Sequence, residues 1–535
     1  MDVTPVRSAR GGLVLSTLAA GQFLMTLDTS VLNVSIAKVA EDLGTTVTGI
    51  QTAITLYTLV MAMFMVTGGK LGALIGRRRA FALGCVVYGC GSLTTSLAPD
   101  LAVLIVGWSV LEGLGAVLIM PAIVALVAAN FGRDQRPRAY GLIAAAGAMA
   151  VAVGPLVGGL VTTYFSWRWV FAAEVLLVLG ILVFARRMAE SAPERNPSLD
   201  LVGTVLSAAG LGLVVYAILR TSTWGWVLPK AGAPSLFGLS ISLWLILAGL
   251  LVLRLFLGWQ HHRIKRGREP LTDPALFGNA ELRTGLIVFF FQFLLQAGLF
   301  FVVPLFLSVA LGLSALDTGV RLLPLSVALL VAAAGIPKVW PEVSPRRVVR
   351  LGLTTLLAAL VIFLAALELG AGPEITTVPM LLAGFGIGAL ASQLGSVTVS
   401  AVPDERTSEV GGLQNTATNL GASVGTALAG SVLIAALTTS FLQGIAQNPA
   451  VPPQVSAQAE VSLVSGAAFL SDATLGSRLA AAGVPDRTAA AIVAENEKSR
   501  IQALRASIAV LTLAAVLSIF FTRRVPAVQP GRSPA

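Results

Sequence analysis

Apolar residues in this chain fall into runs of about twenty, the length a helix needs to cross a bilayer, and the runs are separated by short polar or basic stretches. Fourteen such runs predict fourteen spanning helices. Six lie at 13–34, 50–69, 81–97, 101–128, 140–164 and 169–184. Two more follow at 201–219 and 237–257, and a last six at 286–309, 318–336, 351–367, 378–402, 410–437 and 501–521. The pattern implies an all-α polytopic membrane protein with a six-helix unit over residues 1–190, two linking helices over 191–265, and a second six-helix unit over 266–535. The longest interruption, about 438–500, is the one sizeable segment outside the bilayer. Its stretches VSLVSGAAFL and RTAAAIVAENEKSRIQAL fit short amphipathic helices or a partly ordered connector.

Composition agrees. Hydrophobic residues make up 56% of the chain and charged residues 12%, about half the ~25% of a soluble domain. The net charge of +10 is spread over short loops and forms no continuous stripe, which argues against a nucleic-acid partner. Cytoplasmic loops retain Lys and Arg. The groups GRRR at 76–79, GRDQRPR at 132–138, HHRIKRGR at 261–268 and PRR at 345–347 therefore place both termini in the cytoplasm and the 438–500 loop outside. Arg7 and Arg10 precede the first run, but no small-residue cleavage site follows it, so no cleaved signal peptide is expected. Cys85 and Cys90 share one run and offer neither a metal-ligand set nor a disulfide framework.

Charge inside the runs is the first pointer to chemistry. Asp28 lies about 22 Å from the inner end of the first run, and Glu112 about 16 Å from the outer end of the fourth. Both depths fall well inside a ~30 Å core, where an ionisable side chain is rarely present for packing alone. Two desolvated carboxyl groups in one bundle would hold protons near neutral pH and release them on a conformational change, the chemistry of a proton-coupled carrier. The alternative is a neutral Glu112 that only hydrogen-bonds to nearby hydroxyls. In the second half the buried polar positions are uncharged: Gln292 and Gln296 four apart among Phe289, Phe290, Phe291, Phe293, Phe300 and Phe301, then Gln393, Gln414, Asn415 and Asn419. Amides among aromatics suit a cavity for amphipathic organic molecules. Hydrogen bonds between packed helices are the competing use.

Several short matches fail on context. Gly-Ala-Ser-Val-Gly at 421–425 fits a hydrolase nucleophile elbow but lies in an apolar run with no strand before it. The two histidines, His261 and His262, belong to a basic loop, and no phosphate-binding glycine loop is present.

Taken together, LDTSVLNVSI in run 1, GKLGALIGRRR after run 2, VLEGLGAVLIMP in run 4, GPLVGG in run 5 and WRWVF entering run 6 resemble the major facilitator superfamily, specifically its fourteen-span drug:proton antiporter branch. TGVRLLPLS at 318–326, GFGIGA at 384–389 and GLQNTATNLGASVG at 412–425 extend the likeness more loosely. The resemblance implies two six-helix bundles around a cavity that opens alternately to each side. It further implies export of hydrophobic or amphipathic compounds in exchange for protons, without a cofactor or metal, by a monomer in a bacterial cytoplasmic membrane. Its partners would be small molecules, protons and the bilayer. A dedicated exporter of a lipid or secondary metabolite is the rival within that fold, and a polytopic membrane enzyme or sensor the rival outside it.

The departures from the family pattern matter as much. In the loop after run 2, Gly69, Leu71, Gly76, Arg77, Arg78 and Arg79 match, but Ala73 stands where the family has an Asp that latches the inner helix ends. Arg77–Arg79 then serve in that latch or simply as positive-inside anchors. Ser109 stands at the family's run 4 Arg, and Glu112 replaces a Gln. In GPLVGG, Pro155 removes a backbone donor and can kink the helix, while Gly154, Gly158 and Gly159 permit close helix approach. Glu174 replaces an Asn about 7–8 Å below the outer end of run 6; it is expected either as a third acid facing the outer vestibule or as a partner of Arg168.

Overall fold

The computed structural model describes residues 8–131, 136–190, 199–230, 232–340, 342–402, 407–452 and 472–527. The first half comprises α1 (Ser8–Asp42), α2 (Val47–Ile75), α3 (Arg77–Ser96), α4, α5 (Arg136–Tyr164) and α6 (Arg168–Ala185). Helix α4 is built from Leu101–Leu104, a π-helical turn at Ile105–Glu112 and Gly113–Asn130. Helices α7 (Leu201–Trp224) and α8 (Ile241–Lys265) follow, with a two-residue hairpin between them in which Ser235–Leu236 pairs with Leu239–Ser240. The second half comprises α9 (Ala280–Leu305), α10 (Ala315–Val339), α11 (Pro345–Ala366), α12 (Thr377–Ser400), α13 (Thr407–Gln447) and α15 (Asp486–Phe520), with the short α14 (Asp472–Ala481) before the last.

All fourteen expected spans are helical. Among the described residues twelve helices are long and apolar enough to cross a membrane, and α5, bent by 42° between Ala145–Val151 and Val153–Tyr164, makes a thirteenth. The bend falls where Pro155 cannot donate to the Val151 carbonyl four residues back. The fourteenth, α3, is diluted by Gly84, Gly89, Gly91, Ser92, Thr94, Thr95 and Ser96. Those small residues have a packing reason: a Cβ at Gly84 would meet the Gly115 carbonyl, and one at Gly91 would meet Glu112. The backbones of α3 and α4 are thereby brought close together.

The helices overrun the expected boundaries at the outer loop. Residues 438–447 continue α13, and Asp486 onward belongs to α15, so RTAAAIVAENEKSRIQAL is the projecting end of a span rather than a separate surface helix. Phe441, Ile445, Val451 and Ile492, with Leu475, Leu479 and Val484 packed against them, give this projection its own small apolar core. Arg500, 1% exposed, anchors it through Asp472 at 2.5 Å. The stretch VSLVSGAAFL lies outside the described residues.

The two halves meet along two seams, α2 against α13 and α5 against α10. Gln51 Nε2 donates to the Thr426 and Ala427 carbonyls at 3.2 and 3.3 Å, and Ser423 Oγ to the Thr55 carbonyl at 3.0 Å. On the other seam the Leu316 N–H donates to Thr163 Oγ1 at 3.0 Å. The α7–α8 pair docks where α2 and α13 meet, through α7, and leaves Leu247, Leu250, Leu251 and Leu255 of α8 47–60% exposed, an apolar flank suited to lipid.

Candidate functional site

Asp28, Glu112 and Glu174 come from three helices of the first half and meet at its centre. One oxygen of each lies within 4.8 Å of the others, and the three residues are 0%, 0% and 1% exposed. At an effective dielectric of about 20, each pair of charges at that separation would cost about 3 kcal/mol. Three bare carboxylates cannot coexist there. None of the ion pairs among the described residues involves any of them.

Neighbouring elements supply hydrogen bonds in place of counter-charges. The π-helical turn of α4 carries both Trp108 and Glu112; with more than four residues per turn, positions four apart stay on one face. Trp108 Nε1 donates to Asp28 Oδ1 at 2.9 Å and Oδ2 at 2.8 Å, and its ring stacks on Tyr57 of α2 at 4.9 Å, nearly parallel. From α3, Ser92 Oγ and Tyr88 Oη donate to Glu174 Oε2 at 3.1 and 3.3 Å. The Thr95 hydroxyl lies 3.1 Å from Glu112 Oε1 and 2.9 Å from the Gly91 carbonyl. Among the described residues Glu112 Oε2 and Glu174 Oε1 have no hydrogen-bond partner. An all-oxygen set of this kind suits protons or a hard cation.

Glu174 faces neither an outer vestibule nor Arg168, because α6 turns it inward onto Tyr88 and Ser92. Arg168 instead donates to the Ala98 carbonyl at 2.8 Å, lies 3.9 Å from Asp42 Oδ2 and covers the Trp167 ring. Ser109, at the family's Arg position, donates to the Ala53 carbonyl at 2.8 Å and ties α4 to α2. Sequence reasoning missed Trp108, Tyr57, Tyr88, Ser92 and Thr95. The one available signal was Trp108 standing four residues before Glu112.

The amides of the second half do not converge in the same way. Gln292 and Gln393 are buried and Gln296 half-buried. Gln414 bonds to Thr398 of α12, an interhelical use, while Asn415 and Asn419 donate to the Gly411 and Asn415 carbonyls of their own helix at 3.1 and 2.8 Å. Phe291 and Phe301 are packed inside rather than lining open space.

In the loop after α2 the cations find partners without an acid at position 73. Gly76 adopts φ +98°, a conformation favouring glycine, and Arg77 folds back to donate to the Gly69 carbonyl at 2.7 Å. Glu190, beyond α6, accepts from the Arg78 N–H at 2.8 Å and lies 3.7 Å from its guanidinium. Lys70 reaches Glu269, at the entrance to the second half, at 3.3 Å. In GPLVGG, a Cβ at Gly154 or Gly158 would strike Ser30 or Val31 of α1, whereas one at Gly159 would strike the Ala315 carbonyl of α10. At the far end of the seam from the arginine loop, a cavity of about 730 Å³ lies between the halves, lined by Lys38, Glu41, Thr46, Thr163, Ser314 and Arg478 among others.

Comparison with known proteins agrees with this architecture. The tetracenomycin C resistance and export protein of Streptomyces glaucescens is 28% identical over 476 residues, 87% of this chain and 84% of that protein. The multidrug efflux pump LfrA of Mycolicibacterium smegmatis is 28% identical over 519 residues, 96% and 97%. The puromycin resistance protein pur8 of Streptomyces alboniger is 30% identical over 446 residues, 82% and 84%. A bacterial homolog of the human lysosomal transporter Spinster, solved in an inward-facing and unoccupied conformation, shares the fold, with a TM-score of 0.60 at 15% identity over 99% of this chain and 100% of that one. Residues 18–426 match the Major Facilitator Superfamily, and the chain, a multi-pass membrane transporter and not an enzyme, belongs to that superfamily.

Proposed function

We propose that the protein exports hydrophobic or amphipathic organic compounds across a bacterial cytoplasmic membrane, with both termini inside, in exchange for protons entering from outside. The observation that carries the reading is the meeting of Asp28, Glu112 and Glu174 in the buried centre of the first half. Buried acids without basic partners are costly to keep for packing and useful for moving protons. The compound class is supported by relatives named for multidrug efflux and for antibiotic resistance. Purified protein in liposomes, given an outward-directed substrate gradient, should drive proton movement the opposite way. Substrate flux with no proton flux would leave a facilitator and remove the antiport.

A second reading, the dedicated export of one secondary metabolite, draws on relatives named for single compounds, such as the tetracenomycin C export protein. A panel of structurally unrelated dyes separates the two. A multidrug pump moves several, and a dedicated exporter moves none or one.

A further inference from the structure

We infer that the carboxyl cluster carries two exchangeable protons, on Glu112 and Glu174, so that one transport cycle exchanges two protons for each substrate molecule. The inference rests on the antiport reading above and adds its stoichiometry.

The hydrogen-bond pattern distinguishes the three acids. Both oxygens of Asp28 accept from one indole N–H, a donor that the two glutamates lack and that favours the negative charge on Asp28. Thr95 has a single hydroxyl proton and two neighbours, the Gly91 carbonyl and Glu112 Oε1. That one proton is shared between two acceptors, and Glu112 Oε2 has no partner among the described residues, which makes Oε2 the oxygen placed to bear a proton. Glu174 accepts from both Ser92 and Tyr88 on Oε2 alone, which leaves Oε1 free to bear a proton.

A second, independent feature points the same way. The Tyr57 hydroxyl of α2 is 1% exposed, has no hydrogen-bond partner, and faces Asp28 alongside Trp108. It places a further O–H donor beside the one acid that keeps its charge. Among the described residues the titratable groups facing the cluster from the surrounding helices are Tyr57 and Tyr88, and no Lys or Arg is paired to it. With one negative charge tolerated on Asp28, neutrality elsewhere requires protons on the two glutamates. Opening the site to water removes that constraint and lets both leave.

The test is a null-point measurement on wild-type protein in liposomes, with the membrane potential clamped at zero and an uncharged dye as substrate. Two protons per cycle means that one pH unit across the membrane balances about a hundredfold dye gradient, and one proton about a tenfold gradient. We expect about a hundredfold for the wild type and about tenfold for Glu112→Gln and for Glu174→Gln. A tenfold wild-type null point overturns the inference without any variant, and so does a hundredfold value retained in both variants. A null point independent of pH would sink the proton antiport itself.

Discussion

The indole N–H of Trp108 meets both carboxylate oxygens of Asp28, at 2.9 and 2.8 Å, across the α1–α4 interface in the middle of the first half. A hydrogen bond to a charged group contributes about 1.5–3 kcal/mol, and here it is the main polar partner of a buried acid. Trp108→Phe keeps the aromatic stack on Tyr57 but removes the donor. It should lower stability by about 2 kcal/mol and reduce proton-driven export at least about tenfold. A double-mutant cycle with Asp28→Asn checks the assignment: the two losses should be clearly less than additive, and full additivity would show that the contact does not matter.

Asp28→Asn should fold and insert normally while losing proton-driven export. The amide keeps shape and can still accept from Trp108, but it cannot carry the negative charge. Export of a resistance substrate at the wild-type rate would take Asp28 out of the mechanism.

The fold was legible because hydropathy reports spans directly: each of the fourteen runs became a helix, and even the weakly apolar 81–97 run did. Asp28 and Glu112 were legible for a related reason, since a charge in an apolar run stands out. Their meeting with Glu174 was not legible, because whether α6 turns residue 174 toward Arg168 or toward Tyr88 depends on tertiary rotation. The partners of the acids were hidden too. Ser92, Thr95 and Tyr88 read as ordinary small or amphipathic residues until α3 is seen against α4. Gln414, Asn415 and Asn419 show the converse difficulty: polar residues in a span can be satisfied by a neighbouring helix or their own backbone, and hydropathy does not tell that use from the lining of a cavity.

Glu190 takes up the cationic loop that Ala73 cannot hold. Glu190→Ala should release Arg78 and loosen the ends of α2, α3 and α6 around the arginine loop with little effect on overall stability, since part-exposed ion pairs contribute at most about 1 kcal/mol. Cysteine-labelling rates near the loop should rise severalfold in the variant. Unchanged labelling would reduce Glu190 to a surface contact.

Orientation can be read from two exposed positions. In a background carrying Cys85→Ala and Cys90→Ala, a cysteine at Arg79 should react only after the membrane is permeabilised, and one at Arg487 should react in intact cells. This follows from retention of short basic loops on the cytoplasmic side. Labelling of both from the same side would overturn the assigned topology.

The glycines of GPLVGG should divide by the helix each one touches. Gly154 and Gly158 lie against Ser30 and Val31 of α1, inside one half, whereas Gly159 lies against the Ala315 carbonyl, and Gly319 of α10 lies in turn against the Pro155 carbonyl, across the seam between halves. A methyl group in a filled contact costs about 1–3 kcal/mol. Within a half that cost falls on the folded state as a whole, so Gly154→Ala should lower thermal stability. At the seam the cost falls only on the conformation that closes it, so Gly159→Ala and Gly319→Ala should spare stability and shift the population toward separation of α5 from α10. Cysteines at Thr163 and Leu316, whose backbone and side chain now share a 3.0 Å hydrogen bond, report that separation by disulfide formation. The seam variants should slow cross-linking severalfold, and Gly154→Ala should leave it unchanged in the protein that remains folded. Equal cross-linking in all three, or equal loss of stability, would show that α5 packs as one rigid surface and that the motif does not separate the two tasks.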